Sequence, residues 1–290
     1  MDLTDINEVR GLLFRHGIKL SKGLGQNFLV NPTVCPRMAE MSAAGEDTGV
    51  IEIGPGIGVL TAELAKRAKR VVSIELDRRL EPVLAETLAE FGNIELLWQD
   101  VLKTDLAALI AERLSDCRRV TVCANLPYYI TSPIIMKLLE DRLPIESITA
   151  MVQLEAAQRM CAPVGSRAAG AVTVAVRYYS RPQILFRVGS GSFLPPPKVD
   201  SAVIKLDIEP EGAVRVADEK LFFRMVRAGF SQRRKTLVNA VCSDSFFSKQ
   251  AVSSALASLG MDERVRIEQL TMEQLAVLSG ALRDSLEGLS

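Results

Sequence analysis

No stretch of this chain approaches the run of about 20 apolar residues that a membrane-spanning helix needs. The first ten residues carry Asp2, Asp5 and Glu8 and have no apolar centre, which argues against a secretory signal or transit peptide. The five cysteines, Cys35, Cys117, Cys123, Cys161 and Cys242, include no C-x-x-C pair. Such a set suits a reducing cytoplasm and supplies neither a disulfide framework nor a zinc site, so no bound metal is expected. A G-x-x-x-x-G-K-[ST] loop is missing, which excludes a P-loop nucleotide binder. The single histidine, His16, lies outside every motif and reads as structural. Internal repeats and low-complexity tracts are absent.

What is present is ordinary in amount and uneven in placement. The 290 residues are 48% apolar and 24% charged, enough for one large α/β domain and a small second one. Net charge is zero, yet 156–199 and 220–243 contain no acid while carrying several arginines and lysines. A polyanion could dock on such segments; solvated helix faces would look the same.

Short apolar runs alternate with helical stretches through the first two thirds. Strands are expected at Val50–Ile53, Val71–Glu75, Ile94–Trp98, Val120–Ala124 and Ile148–Gln153, with helices near Leu60–Lys69, Leu80–Phe91, Leu106–Leu114 and Pro133–Leu139. Repeated units of this kind predict a mostly parallel, Rossmann-like sheet covered by helices on both faces. Gln183–Val188 and Ala202–Ile208 read as further strands around the proline-rich bend Phe193–Lys198. After Pro210 the pattern becomes helical, so the expected division is a ligand-binding domain at 1–210 and a small helical domain at 211–290.

Ile51-Glu52-Ile53-Gly54-Pro55-Gly56-Ile57-Gly58 follows a strand and opens a helix. Glycines there let the backbone turn sharply and approach a ligand without Cβ clashes. The third glycine of the dinucleotide fingerprint would fall at position 59, which is Val59, so a pyrophosphate fits poorly. Glu75 ends the next strand, where a carboxylate can accept hydrogen bonds from both ribose hydroxyls. Asp100 follows the third strand, placed to hold an adenine ring. Gly54, Gly56, Glu75 and Asp100 thus outline a groove at the carboxyl edge of the sheet, in an arrangement that resembles the class I S-adenosylmethionine methyltransferases.

Asn125-Leu126-Pro127-Tyr128 comes directly after the fourth strand. The exocyclic nitrogen of adenine is a poor nucleophile because its lone pair is delocalised into the ring. Two acceptors binding its hydrogens favour a pyramidal nitrogen aimed at a methyl group. The Asn125 side chain and the Leu126 carbonyl could be those acceptors, with Tyr128 stacking on the base. A sulfonium already leaves readily, so positioning carries most of the catalysis and no strong base is needed. Phe193, on the proline-rich loop, fits either a second ring closing over the base or a core residue at the start of a loop. Use of both rings implies an unpaired or flipped nucleotide.

With these residues in place, the chain resembles the ribosomal RNA adenine N6,N6-dimethyltransferases along nearly its whole length. The segments that carry the resemblance are Gly25–Leu29, Glu52–Thr61, Ser73–Asp77, Gln99–Val101, Asn125–Ile130, Phe193–Val203, Phe230–Leu237 and Arg266–Leu270. The likeness implies S-adenosyl-L-methionine as cofactor, held by Asn27, Leu29, Gly54, Gly56, Glu75, Asp100 and Asn125. It implies catalysis at Asn125, Leu126, Tyr128 and Phe193. The implied reaction is dimethylation of two adjacent adenines in the 3′-terminal hairpin of small-subunit ribosomal RNA, within an immature small subunit. Arg233, Arg234 and Lys235 are the expected RNA contacts, or else a helix-terminal surface patch. The basic run before the first of these segments is reduced to Lys19 and Lys22.

Three other functions compete. An assembly checkpoint would bind immature subunits whether or not it methylates them. An antibiotic-resistance enzyme would act on large-subunit RNA, but such relatives are generally shorter and fit the Gln232–Leu237 run less well. A small-molecule amine methyltransferase would leave the basic helices without a role.

Overall fold

The computed structural model describes residues 1–18 and 27–287, so Lys19, Lys22, Gly25 and Gln26 lie outside the described residues. Its strands are β1 (Phe28–Leu29), β2 (Thr48–Ile53), β3 (Arg70–Glu75), β4 (Ile94–Trp98), β5 (Arg119–Asn125), β6 (Ser147–Gln153), β7 (Ser180–Val188), β8 (Phe193–Leu194) and β9 (Ser201–Ile208). Seven of them form one sheet in the order β4-β3-β2-β5-β6-β9-β7. β2 pairs in parallel with β3 and β5, β3 with β4, and β5 with β6, whereas β9 runs antiparallel to β6. The remaining two, β1 and β8, make a separate antiparallel ribbon in which Leu29 faces Phe193.

The central strands have the composition their position demands. β2 is buried along its whole length, and β5 is buried except at its two ends. A strand covered on both faces reads as a continuous apolar run, which is why 50–53 and 120–124 were legible. The helix Val59–Ala65 seals one side through Leu60 and Leu64, and the helix Val34–Met41 adds Val34, Cys35 and Met38 to the same cluster. A second cluster joins Val9, Leu12 and Leu13 of the helix Ile6–Arg15 to Ile57, Leu80 and Leu84. Elements expected from the pattern are present with shifted ends. The helix expected at 60–69 stops at Ala65, and the one expected at 80–91 splits into a turn at Arg78–Leu80 and the helix Glu81–Thr87.

Contacts divide the chain into two compact units, Met1–Ala157 with Pro182–Ile208, and Gln158–Arg181 with 209 onward. The single boundary expected near Pro210 left 158–181 with the first part. In the structure that segment belongs to the second, and aromatic packing explains it. Tyr178 and Tyr179, on the helix Ala171–Tyr179, pack on Phe222 and Phe223 of the helix Glu219–Ser231 at centroid distances of 5.1–5.6 Å. The Tyr179 hydroxyl donates to Glu219 Oε1 at 2.5 Å. Local periodicity carries no information about which later helix a segment packs against.

Phe222 is fully buried at the centre of that aromatic group. Phe222→Ala is expected to destabilise the protein by about 3–5 kcal/mol. Denaturant unfolding monitored by circular dichroism measures it.

Candidate active site

The parallel strands end at the same edge of the sheet, and their first residues beyond the ladder build a cavity within the first unit. Gly54 and Gly56 have φ of +72° and +60°, a region that residues with a Cβ rarely adopt. The Gly54 amide donates to the Ile74 carbonyl at 2.9 Å, fixing the loop to the neighbouring strand. A Cβ on Gly54 would stand 3.9 Å from the Asn125 carbonyl, so the glycine loop and the tetrapeptide are direct neighbours.

Glu75 is held from three sides. Its Oε1 accepts from the Leu76 and Asp77 amides, each at 2.8 Å, and its Oε2 from the Gly56 amide at 3.4 Å. Burial pushes this carboxyl up from its ordinary value, while the three amides pull it back. Oε2, with its one long bond, has room to accept from a ligand. Asp100 caps a turn of helix by accepting from the Leu102 amide at 3.0 Å through Oδ1, with Lys103 at 4.0 Å from Oδ2. Asn27, Leu29, Gly54, Gly56, Glu75, Asp100 and Asn125 all line this one cavity, together with Leu126, Tyr128 and Phe193.

Among the described residues its charged lining consists of Glu75 and Asp100, both acids. A cavity walled by apolar groups and two carboxylates is complementary to a cation with an apolar body. That is the charge pattern of a sulfonium joined to an amino acid and a nucleoside.

At the tetrapeptide, β5 hands over to a turn. The Leu126 amide donates to the Met151 carbonyl at 3.2 Å. The Pro127 carbonyl accepts from the Thr131 hydroxyl at 3.0 Å and the Ile130 amide at 3.2 Å. Neither the Asn125 side chain nor the Leu126 carbonyl has a hydrogen-bond partner among the described residues. Polar groups that face a cavity without partners are available to a ligand, and each would otherwise incur a desolvation cost.

The two rings differ in setting. Tyr128 is half-buried, and its hydroxyl shares a 2.5 Å hydrogen bond with the Ser201 hydroxyl, so the phenol is anchored at its far end. Burial raises this phenol and the Ser201 bond opposes the shift. Phe193 is only 3% exposed and sits in the cluster with Leu29, Met151 and Val203, while also reaching the cavity wall. Phe193 is thus a core ring, as one of its two sequence readings had it, that also lines the cavity. Leu76, Gln99, Val101 and Tyr129 also line the cavity; they fall within the segments that carry the family resemblance, though none was singled out as a site residue. Leu76 could have been flagged as an apolar residue directly after the ribose carboxylate, where the structure leaves it 54% exposed. His16 bonds Glu86 at 2.6 Å, outside the cavity.

The basic segments look different in space. Arg233 is not free to meet a phosphate: its Nε and Nη2 bond Glu268 Oε2 at 2.8 and 2.5 Å, and Nη2 also donates to the Arg167 carbonyl. Arg224 is bidentate on Asp244 at 2.6 and 2.8 Å. Acids from outside the acid-free stretches, Asp244 next to one and Glu268 far along the chain, thus neutralise part of them. Arg234 and Lys235 stay exposed.

Several known proteins resemble this chain. A family model described as ribosomal RNA adenine dimethylase matches residues 17–283. The chain is 45% identical over 284 residues to the ribosomal RNA small subunit methyltransferase A of Geobacillus thermodenitrificans, covering 97% of each. It is 44% identical over 288 residues to the protein of the same name from Bacillus licheniformis, covering 98% of this chain and 99% of that one. Among solved structures, a dimethyladenosine transferase from Plasmodium falciparum superposes with a TM-score of 0.74 at 26% identity, over 89% of this chain and 98% of that one. The 23S rRNA methyltransferase ErmE superposes with a TM-score of 0.66 at 29% identity, over 89% of this chain and 100% of that one.

The Arg233–Glu268 pair makes a prediction. Arg233→Ala and Glu268→Ala are expected to destabilise non-additively, with a coupling of about 1 kcal/mol in a double-mutant cycle. Strict additivity in thermal unfolding contradicts it.

Proposed function

Since the chain belongs to the ribosomal RNA adenine dimethylase family, we propose that it transfers methyl groups from S-adenosyl-L-methionine to N6 of two adjacent adenines in the 3′-terminal hairpin of small-subunit ribosomal RNA. Its fold is that of the class I methyltransferases. The substrate particle in this reading is an immature small subunit, and the compartment is the cytoplasm. Among the described residues no helix is long and apolar enough to cross a membrane, and no group of His, Cys, Asp and Glu could hold a metal.

One observation carries the reading. The two unpartnered acceptors at Asn125 and Leu126 line the same cavity as Glu75, Asp100 and the glycine loop. The cofactor supplies an electrophilic methyl on a sulfonium. With the cofactor bound, Glu75 would accept the ribose hydroxyls and Asp100 would hold the adenine end, while Gly54 and Gly56 place no Cβ where their backbone meets the ligand. Asn27 and Leu29 close the wall. The Asn125 oxygen and the Leu126 carbonyl would accept the two N6 hydrogens of a bound adenine and so favour a pyramidal nitrogen with its lone pair free for methylation. Tyr128 and Phe193 contact the base faces. Among the described residues no lysine, histidine or arginine lines the cavity, and in this reading the N6 proton would pass to solvent after methyl transfer. Positioning and electrostatics provide the acceleration.

The helical second unit, 209 onward with 158–181, is the RNA-binding part in this reading. Arg234 and Lys235 are its phosphate contacts, whereas Arg233 organises the turn that presents them. Loss of Arg234 and Lys235 together should flatten the salt dependence of RNA binding by a slope of about 1–2, one unit per contact.

Labelled methyl transfer to purified immature small subunits, with mapping of the modified nucleotides, tests the reading. The expected products are two adjacent N6,N6-dimethyladenosines. Label only in large-subunit RNA, or equal turnover of free adenosine, contradicts it. Glu75→Ala is expected to raise the cofactor Kd by about ten-fold or more, since a charge-assisted hydrogen bond contributes about 1.5–3 kcal/mol; isothermal titration measures it.

A further inference from the structure

Glu52 is the one acid of β2, and it does not reach the cavity. It stands two residues before Gly54 and is 1% exposed. Its Oε2 accepts from the Ser73 hydroxyl at 2.6 Å, and Ser73 lies on β3 two residues before Glu75. Its Oε1 is buried with no hydrogen-bond partner, and so is the Thr61 hydroxyl on the helix Val59–Ala65. These two orphans are close enough that Thr61 acts on the Glu52 carboxyl, although the contact falls short of a full hydrogen bond.

The groups around Glu52 are all acids or neutral. Glu75 faces it from β3, Cys123 from β5, and Cys35 from the helix Val34–Met41. Glu63, which acts on Cys35, is itself paired with Lys66 and Arg67. Among the described residues, no cation acts on Glu52. A second negative charge here would be unpaired, desolvated and beside Glu75.

We infer that Glu52 is a positioning residue carried in its neutral form, bridging Ser73 on β3 and Thr61 on the helix after the glycine loop, so that the cluster holds a single negative charge on Glu75. The inference rests on the cofactor reading of this cavity. A neutral carboxyl matches both neighbours: one oxygen accepts from Ser73, and the protonated one donates to Thr61. The bridge then joins the two elements that bear the glycine loop and the ribose carboxylate. Burial is the main cause that pushes Glu52 up to about 7, with the charge of Glu75 adding to it. The sign follows directly. The favourable neutral state is fully populated at low pH and is lost as pH rises through that value, the direction in which cofactor affinity should fall.

Binding of S-adenosylhomocysteine by the full chain, measured from pH 6 to 9, tests this against Glu52→Gln. The amide keeps an acceptor for Ser73 and a donor for Thr61 but cannot ionise. The ligand's own amino group titrates alike in both proteins, so their difference isolates Glu52. The wild type is expected to lose about ten-fold more affinity than the variant across this range. Equal pH profiles overturn the inference and leave the cofactor reading standing. No binding by either protein at any pH overturns both. Infrared spectroscopy of the wild type decides the protonation state without a variant. A protonated-carboxyl band at pH 6 that fades by pH 9 supports the inference, and its absence at pH 6 refutes it.

Discussion

The register of four parallel strands is the constraint on which the site depends. β2, β3, β4 and β5 run in the same direction, so their carboxyl ends open on one edge. Gly54, Glu75, Asp100 and Asn125 are far apart in sequence, and each is placed only by where its strand stops. A slip of one residue in β3 would turn Glu75 to the other face of the sheet. Burial of β2 and β5 holds the register, because a slip would move Val50 and Cys123 out of the core cluster they share.

The chemistry follows from what that edge leaves unsatisfied. Most of its polar groups are spoken for: the Pro127 carbonyl by Thr131 and Ile130, the Tyr128 hydroxyl by Ser201, one Glu75 oxygen by two amides. Among those left for a ligand are the Asn125 side chain, the Leu126 carbonyl and the second Glu75 oxygen with its single long bond. The acidic lining suits a cationic methyl donor, and the free acceptors suit an amine with two hydrogens. A base that has gained one methyl has lost one of those hydrogens, so one acceptor must lose its partner in the second transfer. In the proposed reading, the ring of Tyr128, anchored on Ser201, would offer a fixed surface against which the base shifts.

Much of this was legible in the sequence because the signals are local. Left-handed glycines, a carboxylate at a strand end, and Asn-Leu-Pro-Tyr after an apolar run each reflect a backbone requirement met by neighbouring residues. What stayed hidden depends on distant partners. Ser201 lies 73 residues from the ring it anchors. Glu268 removes Arg233 from the free cations across 35 residues. The helix Ala171–Tyr179 joins the second unit through rings 40 or more positions later, which a single cut at 210 could not express. Phe193 shows the limit of either/or reading, since one ring serves a core cluster and a cavity wall together.

The central claim is that Asn125 acts on the amine and not on the fold. Single-turnover methyl transfer by Asn125→Ala, with cofactor affinity measured on the same protein, tests it most directly. The account predicts a rate reduced by about a hundred-fold or more, as for removal of one preorganised hydrogen-bonding group, with a far smaller change in cofactor Kd. A rate within a few-fold of wild type, or a loss explained entirely by weaker cofactor binding, would contradict it.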